Sequence, residues 1–147
     1  MSQYFDLGDE TLWNPSNGAS RMFQRQVALF EAELRLPSGI GPMKRDECQI
    51  EVLVFESFVV ALLAWHRRTS HAVVLALSEG FTATVLVLAE RAGIEVDWAG
   101  LEAAVPEDGH EDVQVPTGTE MSVPAESGAW SARLRERAGE LGRRMPR

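Results

Sequence analysis

Between Gln49 and Ala92 the chain carries two nearly uninterrupted apolar stretches, separated only by the polar turn Arg67-Arg68-Thr69-Ser70-His71. In the first, Phe55, Phe58, Val59, Leu62 and Trp65 recur at helical spacing, while Val52, Leu53, Val54, Val60 and Leu63 cover much of the remaining circumference. A helix that is apolar nearly all round is normally central to a fold, or else covered by a partner. Arg67 and Arg68 close it, where positive charge suits the negative end of the helix dipole. In the second stretch Val74, Leu77, Phe81, Val85, Leu88 and Ala92 make a helical seam, with Ser70 as its cap and Gly93 as its terminator. The β-branched residues of 72–77 and 82–88, around Ser78-Glu79-Gly80-Phe81, leave a hairpin over 72–88 as the α+β alternative. The helix is preferred because the seam continues across the glycine. A membrane span is not expected, because about 18 uninterrupted apolar residues are needed to cross a bilayer and Ser78-Glu79-Gly80 breaks this run in the middle.

Upstream, Gln3 to Trp13 reads as a short hairpin: Tyr4, Phe5 and Leu7 precede the turn Gly8-Asp9-Glu10, and Thr11-Leu12-Trp13 follow. Asn14-Pro15-Ser16 then reads as a helix start, with Asn as the cap and Pro in the first turn. Ala19, Phe23, Val27, Phe30 and Leu34 make one apolar face, and the helix ends before Leu36-Pro37. Gly39 to Pro42 is a loop and Lys44 to Glu47 a charged cluster.

Downstream of Gly93 the alternation of Ile94, Val96 and Trp98 predicts a short strand or a flap on the core. From about Val105 to Gly128 the chain carries Pro106, Pro116 and Pro124 and acidic residues with no basic ones, the composition of a flexible linker. From Ala129 to Arg147 it turns basic, and Trp130, Leu134, Ala138 and Leu141 recur at helical spacing. The expected architecture is therefore mainly α. A compact three-helix domain with an N-terminal β-hairpin fills residues 1–100, an acidic linker 101–128, and an amphipathic basic tail helix 129–147.

With 147 residues, 45% hydrophobic and 24% charged, the chain can bury one sizeable core. Its net charge of −8 disfavours nonspecific contact with nucleic acid or anionic lipid, and suits a cationic protein surface better. Cys48 is the only cysteine, so no intrachain disulfide forms, which fits a reducing, cytoplasmic setting. Residues 1–5 lack the pattern of a secretory signal. Lys44 is the only lysine among thirteen arginines, as expected of a GC-rich bacterial genome.

Few residues carry chemistry. His66 and His71 flank the turn between the apolar stretches, but zinc sites need three or four ligands at recognisable spacing, so no metal and no cofactor is expected. Cys48 lies beside Asp46 and Glu47, which oppose a thiolate. Gly-x-Ser-x-Gly and phosphate-cradling glycine loops are absent. Glu56 and Glu79 sit inside otherwise apolar helices. A carboxylate buried there would be paired or shifted upward, so Glu56, Glu79 and His66 are the only acid–base candidates.

Three segments also form a pattern: Tyr4-Phe5 leading to Leu12-Trp13-Asn14-Pro15-Ser16; Gly39-Ile40-Gly41-Pro42 leading to Asp46-Glu47-Cys48; and Ser78-Glu79-Gly80-Phe81 leading to Ala89-Glu90-Arg91-Ala92-Gly93. Together they resemble a family of small bacterial proteins of unknown function, over residues 3 to 96. The resemblance implies a self-contained domain and assigns no activity.

Two functional expectations follow. The first is a non-catalytic protein-binding or self-associating acidic domain, a homo-oligomer or a partner that neutralises a cationic protein as an antidote does, with Phe55, Phe58, Trp65, Trp130, Arg133 and Arg137 as contact residues. The second is a small enzyme or ligand-binding domain that uses Glu56, Glu79 or His66 in a pocket between helices.

Overall fold

The computed structural model of the chain describes residues 2–104 and 128–147. Of the expected linker, only residues 101–104 and 128 are among these. The fold is mainly helical, with a small sheet at the N-terminus.

Strands β1 (Tyr4–Leu7) and β2 (Glu10–Trp13) pair antiparallel across Gly8, whose φ of +60° suits a tight turn. A third strand, β3 (Glu47–Gln49), pairs parallel to β1 and places Phe5 opposite Cys48, so the order is β2-β1-β3. This strand was not expected. Three residues of mixed polarity carry too little alternation to signal a strand, and the pairing that stabilises them comes from residues more than 40 positions away.

Helix α1 (Asn17–Leu34) follows β2. Its cap is Ser16 rather than Asn14: the Ser16 hydroxyl accepts from Ala19 N–H at 3.3 Å. Asn14 instead donates its backbone N–H to the carbonyl of Pro146, tying the helix lead to the C-terminus. Phe23, Val27 and Phe30 are buried on one face, whereas Ala19 is exposed. Beyond the helix, Glu31 accepts from both the backbone N–H and the hydroxyl of Ser38, at 2.8 and 2.6 Å.

Helices α2 (Val52–Arg68) and α3 (Ala72–Arg91) form the apolar centre. The chain enters α2 past Gly39, whose φ is +75° and whose missing Cβ would lie 2.7 Å from Phe55 N. Only glycine permits that approach. Helix α3 runs unbroken through Gly80, which excludes the hairpin alternative for 72–88. Its polar residues fit an apolar helix because their hydroxyls bond back to the preceding turn, Ser78 to the carbonyl of Val74 at 2.7 Å and Thr82 to that of Ser78 at 2.8 Å. The α3 cap is His71, one residue after the expected Ser70; its ring Nδ1 accepts from Val74 N–H at 3.4 Å. Gly93, at φ +74°, follows the helix as expected.

Residues 94–97 form no strand; they lead, capped by Asp97, into the short helix α4 (Trp98–Ala103). Helix α5 (Ala129–Gly142) lies against α3 and buries Trp130, Leu134 and Ala138.

One run of aromatic contacts crosses the whole core. Trp13 stacks on Phe5, Phe5 meets Phe23 edge-on, Phe23 meets Phe81, Phe81 stacks on Phe30 at 4.4 Å, and Phe30 meets Trp65 edge-on. It joins the sheet to α1, α3 and α2. Each such pair adds about 1 kcal/mol beyond the area it buries.

Arg91 closes the other side. Its guanidinium donates to the carbonyls of Leu12 at 2.7 Å, Gly142 at 3.0 Å and Met145 at 2.8 Å. One side chain thus fastens β2, α3 and the chain end together. Helix α3 is long and apolar enough by composition to cross a bilayer, but half of that apolar window is buried inside this fold.

Candidate functional site

The polar groups converge where α2, α4 and α5 meet. His66, in the last turn of α2, is 4% exposed. Its Nδ1 accepts from the indole N–H of Trp130 at 2.9 Å. An Nδ1 that accepts carries no proton, so the imidazole is neutral with its proton on Nε2. That Nε2–H is buried and has no partner among the described residues. Burial pushes the His66 pKa below its ordinary value of 6.5, with Arg133 adding to the effect and Glu79 opposing it.

Around this pair the packing is tight. Arg67 lies over the Trp130 ring at 5.7 Å and pairs with Glu102 of α4 at 3.6 Å. Trp98 meets Trp130 edge-on at 5.9 Å, and Arg135 covers Trp98 at 5.7 Å. Glu102 in turn accepts from the backbone N–H of Ser131 at 2.9 Å. The N-cap of α5 is Gly128, which offers no side chain, so a carboxylate from another helix takes one of the free N–H groups there. Burial alone would raise the Glu102 carboxyl, but the bonds from Ser131, with the charge of Arg67, hold it below its ordinary range.

Above His66 a cleft of about 260 Å³ opens between α3 and α5. Ala72, Leu75 and Ala76 of α3 and Leu134 of α5 form apolar walls, and His66, Trp130, Glu79 and Arg133 complete the lining. Glu79 and Arg133 are exposed and do not pair with each other. A larger, open groove of about 740 Å³ runs past Ile94, Val96 and Trp98, with Glu90, Arg135 and Glu136 as its charged residues, all exposed.

The structure separates the expected site residues. His66 and Glu79 share the cleft, while Glu56 is exposed on α2 and does not line it. Phe55 and Phe58 are 0% exposed, inside the core, and therefore unable to meet a partner. They are interior because α2 packs against α1, α3 and α4. Trp65 is half-buried against Phe30, and Trp130 is buried in the α5 seam. Arg133 is exposed at the cleft, and Arg137 is exposed in a pair with Glu140 at 3.0 Å. Large aliphatic side chains are instead exposed elsewhere: Met22 and Leu29 on α1, Leu53 and Val60 on α2, Val73 and Leu77 on α3.

Cys48 stands on β3, fully buried, donating to the carbonyl of Gly41 at 3.0 Å. Burial first, then the charge of Asp6, pushes its thiol up to about 11. It is not a nucleophile near neutral pH. Among the described residues no three His, Cys, Asp or Glu side chains group as metal ligands.

The sequence singled out none of Trp98, Arg67, Glu102 and Arg91 as a site residue. Trp98 had a signal, an aromatic in a short polar stretch, but the charged residues act through partners distant in sequence that no local pattern identifies.

No curated protein and no solved structure matches the chain significantly. The resemblance noted over residues 3 to 96 extends further, because a family model described as a family of unknown function, DUF6086, matches residues 1–147, including the basic tail. The chain belongs to the DUF6086 family.

Proposed function

We propose that this chain is a non-catalytic, cytoplasmic protein-binding domain that associates with a second copy of itself through its outward aliphatic side chains. The observation that carries this reading is their arrangement. Met22 and Leu29 are seven residues apart on α1, Leu53 and Val60 seven apart on α2, and Val73 and Leu77 four apart on α3, with exposures from 49% to 76%. Each spacing puts both members on one helix face. Single exposed aliphatics need no explanation, but paired ones on three successive helices suit a contact surface.

Among the described residues no acid–base set converges around a nucleophile, which supports a non-catalytic role. Glu56 stands apart from His66 and Glu79, and the Cys48 thiol is sealed and protonated. The net charge of −8 opposes association of two copies and favours a cationic partner, so self-association rests on the aliphatic contacts, and neutralising a cationic protein is the alternative form of the binding role.

Light scattering on the purified chain across a concentration series tests it. Mass that rises toward a dimer supports self-association; a mass fixed at the monomer throughout refutes it.

A further inference from the structure

The cleft between α3 and α5 joins four features that nothing in the fold requires to be together. Its walls are apolar, contributed by Ala72, Leu75 and Leu134 among others. Glu79 and Arg133 bring opposite charges to it from facing helices, without pairing with each other. Glu79, Arg133 and His66 all line this one cleft. His66 itself, 4% exposed, spends Nδ1 on Trp130.

We infer that this cleft binds a small zwitterion with an apolar body, the chemistry of a free α-amino acid with an aliphatic side chain. The carboxylate sits on Arg133, the ammonium on Glu79, and the aliphatic part against the alanine and leucine walls. A carboxylate without an amine is repelled by Glu79, and an amine without a carboxylate by Arg133. Only a ligand carrying both signs satisfies the two charges at once. Inorganic phosphate suits the site poorly, since one arginine faces it and a carboxylate opposes it.

Size points the same way. About 260 Å³ falls below the several hundred Å³ typical of pockets for larger ligands. The site is separate from the proposed contact surface, because none of Met22, Leu29, Leu53, Val60, Val73 and Leu77 lines it. Its failure or success is therefore independent of the oligomeric state.

The test is calorimetric or NMR titration of the full chain with L-leucine, beside 4-methylpentanoate, which lacks the amine, and 3-methylbutylamine, which lacks the carboxylate. Saturable binding of leucine is expected, with each analogue weaker by about tenfold or more. Glu79→Gln and Arg133→Gln, both exposed and outside the core, should each weaken leucine by about tenfold or more while leaving the circular dichroism spectrum unchanged. No saturation by leucine up to its solubility limit overturns the inference. So does unaltered leucine binding in both variants, or an analogue that binds as well as leucine.

Discussion

The indole N–H of Trp130 donates to Nδ1 of His66 across 2.9 Å, in a buried seam between α5 and α2. Sixty-four residues separate the partners in sequence, so the bond exists only when the basic tail is folded onto the body. The tail docks by its apolar face: Trp130, Leu134 and Ala138 are buried, while Arg133, Arg135 and Arg137 are exposed. Attraction between its arginines and the acidic body is secondary, since an exposed pair such as Arg147–Glu10 contributes at most ~1 kcal/mol.

Replacing Trp130 separates packing from hydrogen bonding. Trp130→Phe keeps much of the ring but removes the donor, leaving His66 Nδ1 buried and unpaired at a cost of about 1–3 kcal/mol. Trp130→Ala also empties the seam and costs about 3–5 kcal/mol. Urea unfolding monitored by circular dichroism checks both values.

Acid weakens the fold through His66. Its folded pKa lies below the ordinary 6.5, so in the unfolded chain the imidazole takes up a proton first as pH falls. The unfolded state then binds more protons, and stability drops with falling pH. The contribution is intact above about 6.5 and declines from there down to the folded pKa. Protonation in the folded state would also set an Nδ1–H against the Trp130 N–H. Thermal melts across that window should show Tm decreasing on acidification, and His66→Gln should flatten the dependence.

Arg91 is expected to be among the least replaceable charged residues. Arg91→Met leaves three carbonyl acceptors, on Leu12, Gly142 and Met145, without their donor and should destabilise by about 3 kcal/mol. Arg91→Lys should not rescue it, because an ammonium lacks the fork that spans separate acceptors. Chemical denaturation of the two variants beside the parent chain decides this.

Cys48 should be inert in the folded protein. With no exposure and a thiol pushed up to about 11, reaction with a thiol reagent at neutral pH should track unfolding, slow in buffer and rapid in denaturant. Fast labelling of the native chain would contradict its placement on β3.

Much of the helical frame was legible because it is written in local periodicity. The seam Val74, Leu77, Phe81, Val85, Leu88 gave α3 its correct class, although Leu77 proves to be exposed. That error has a cause: when a helix is apolar on most sides, spacing no longer identifies the inward face. The same ambiguity made Phe55 and Phe58 contact residues when they are core, while Leu53 and Val60 face outward. Caps were misplaced by one or two residues, Ser16 for Asn14 and His71 for Ser70, because neighbouring residues can all accept a backbone N–H. The site was half visible. His66 and Glu79 stood out as polar residues in apolar helices, but Trp130 and Arg133 join them only through tertiary folding, as Glu102 joins Arg67 and Ser131.

The proposed contact surface faces its sharpest trial in sedimentation velocity of the parent chain beside Leu53→Glu and Leu77→Glu. Both positions are about three-quarters exposed, so neither substitution should lower the melting temperature appreciably. Concentration-dependent association of the parent chain, abolished or weakened in at least one variant, is the predicted result. A parent chain and two variants that all sediment as the same concentration-independent monomer would contradict it.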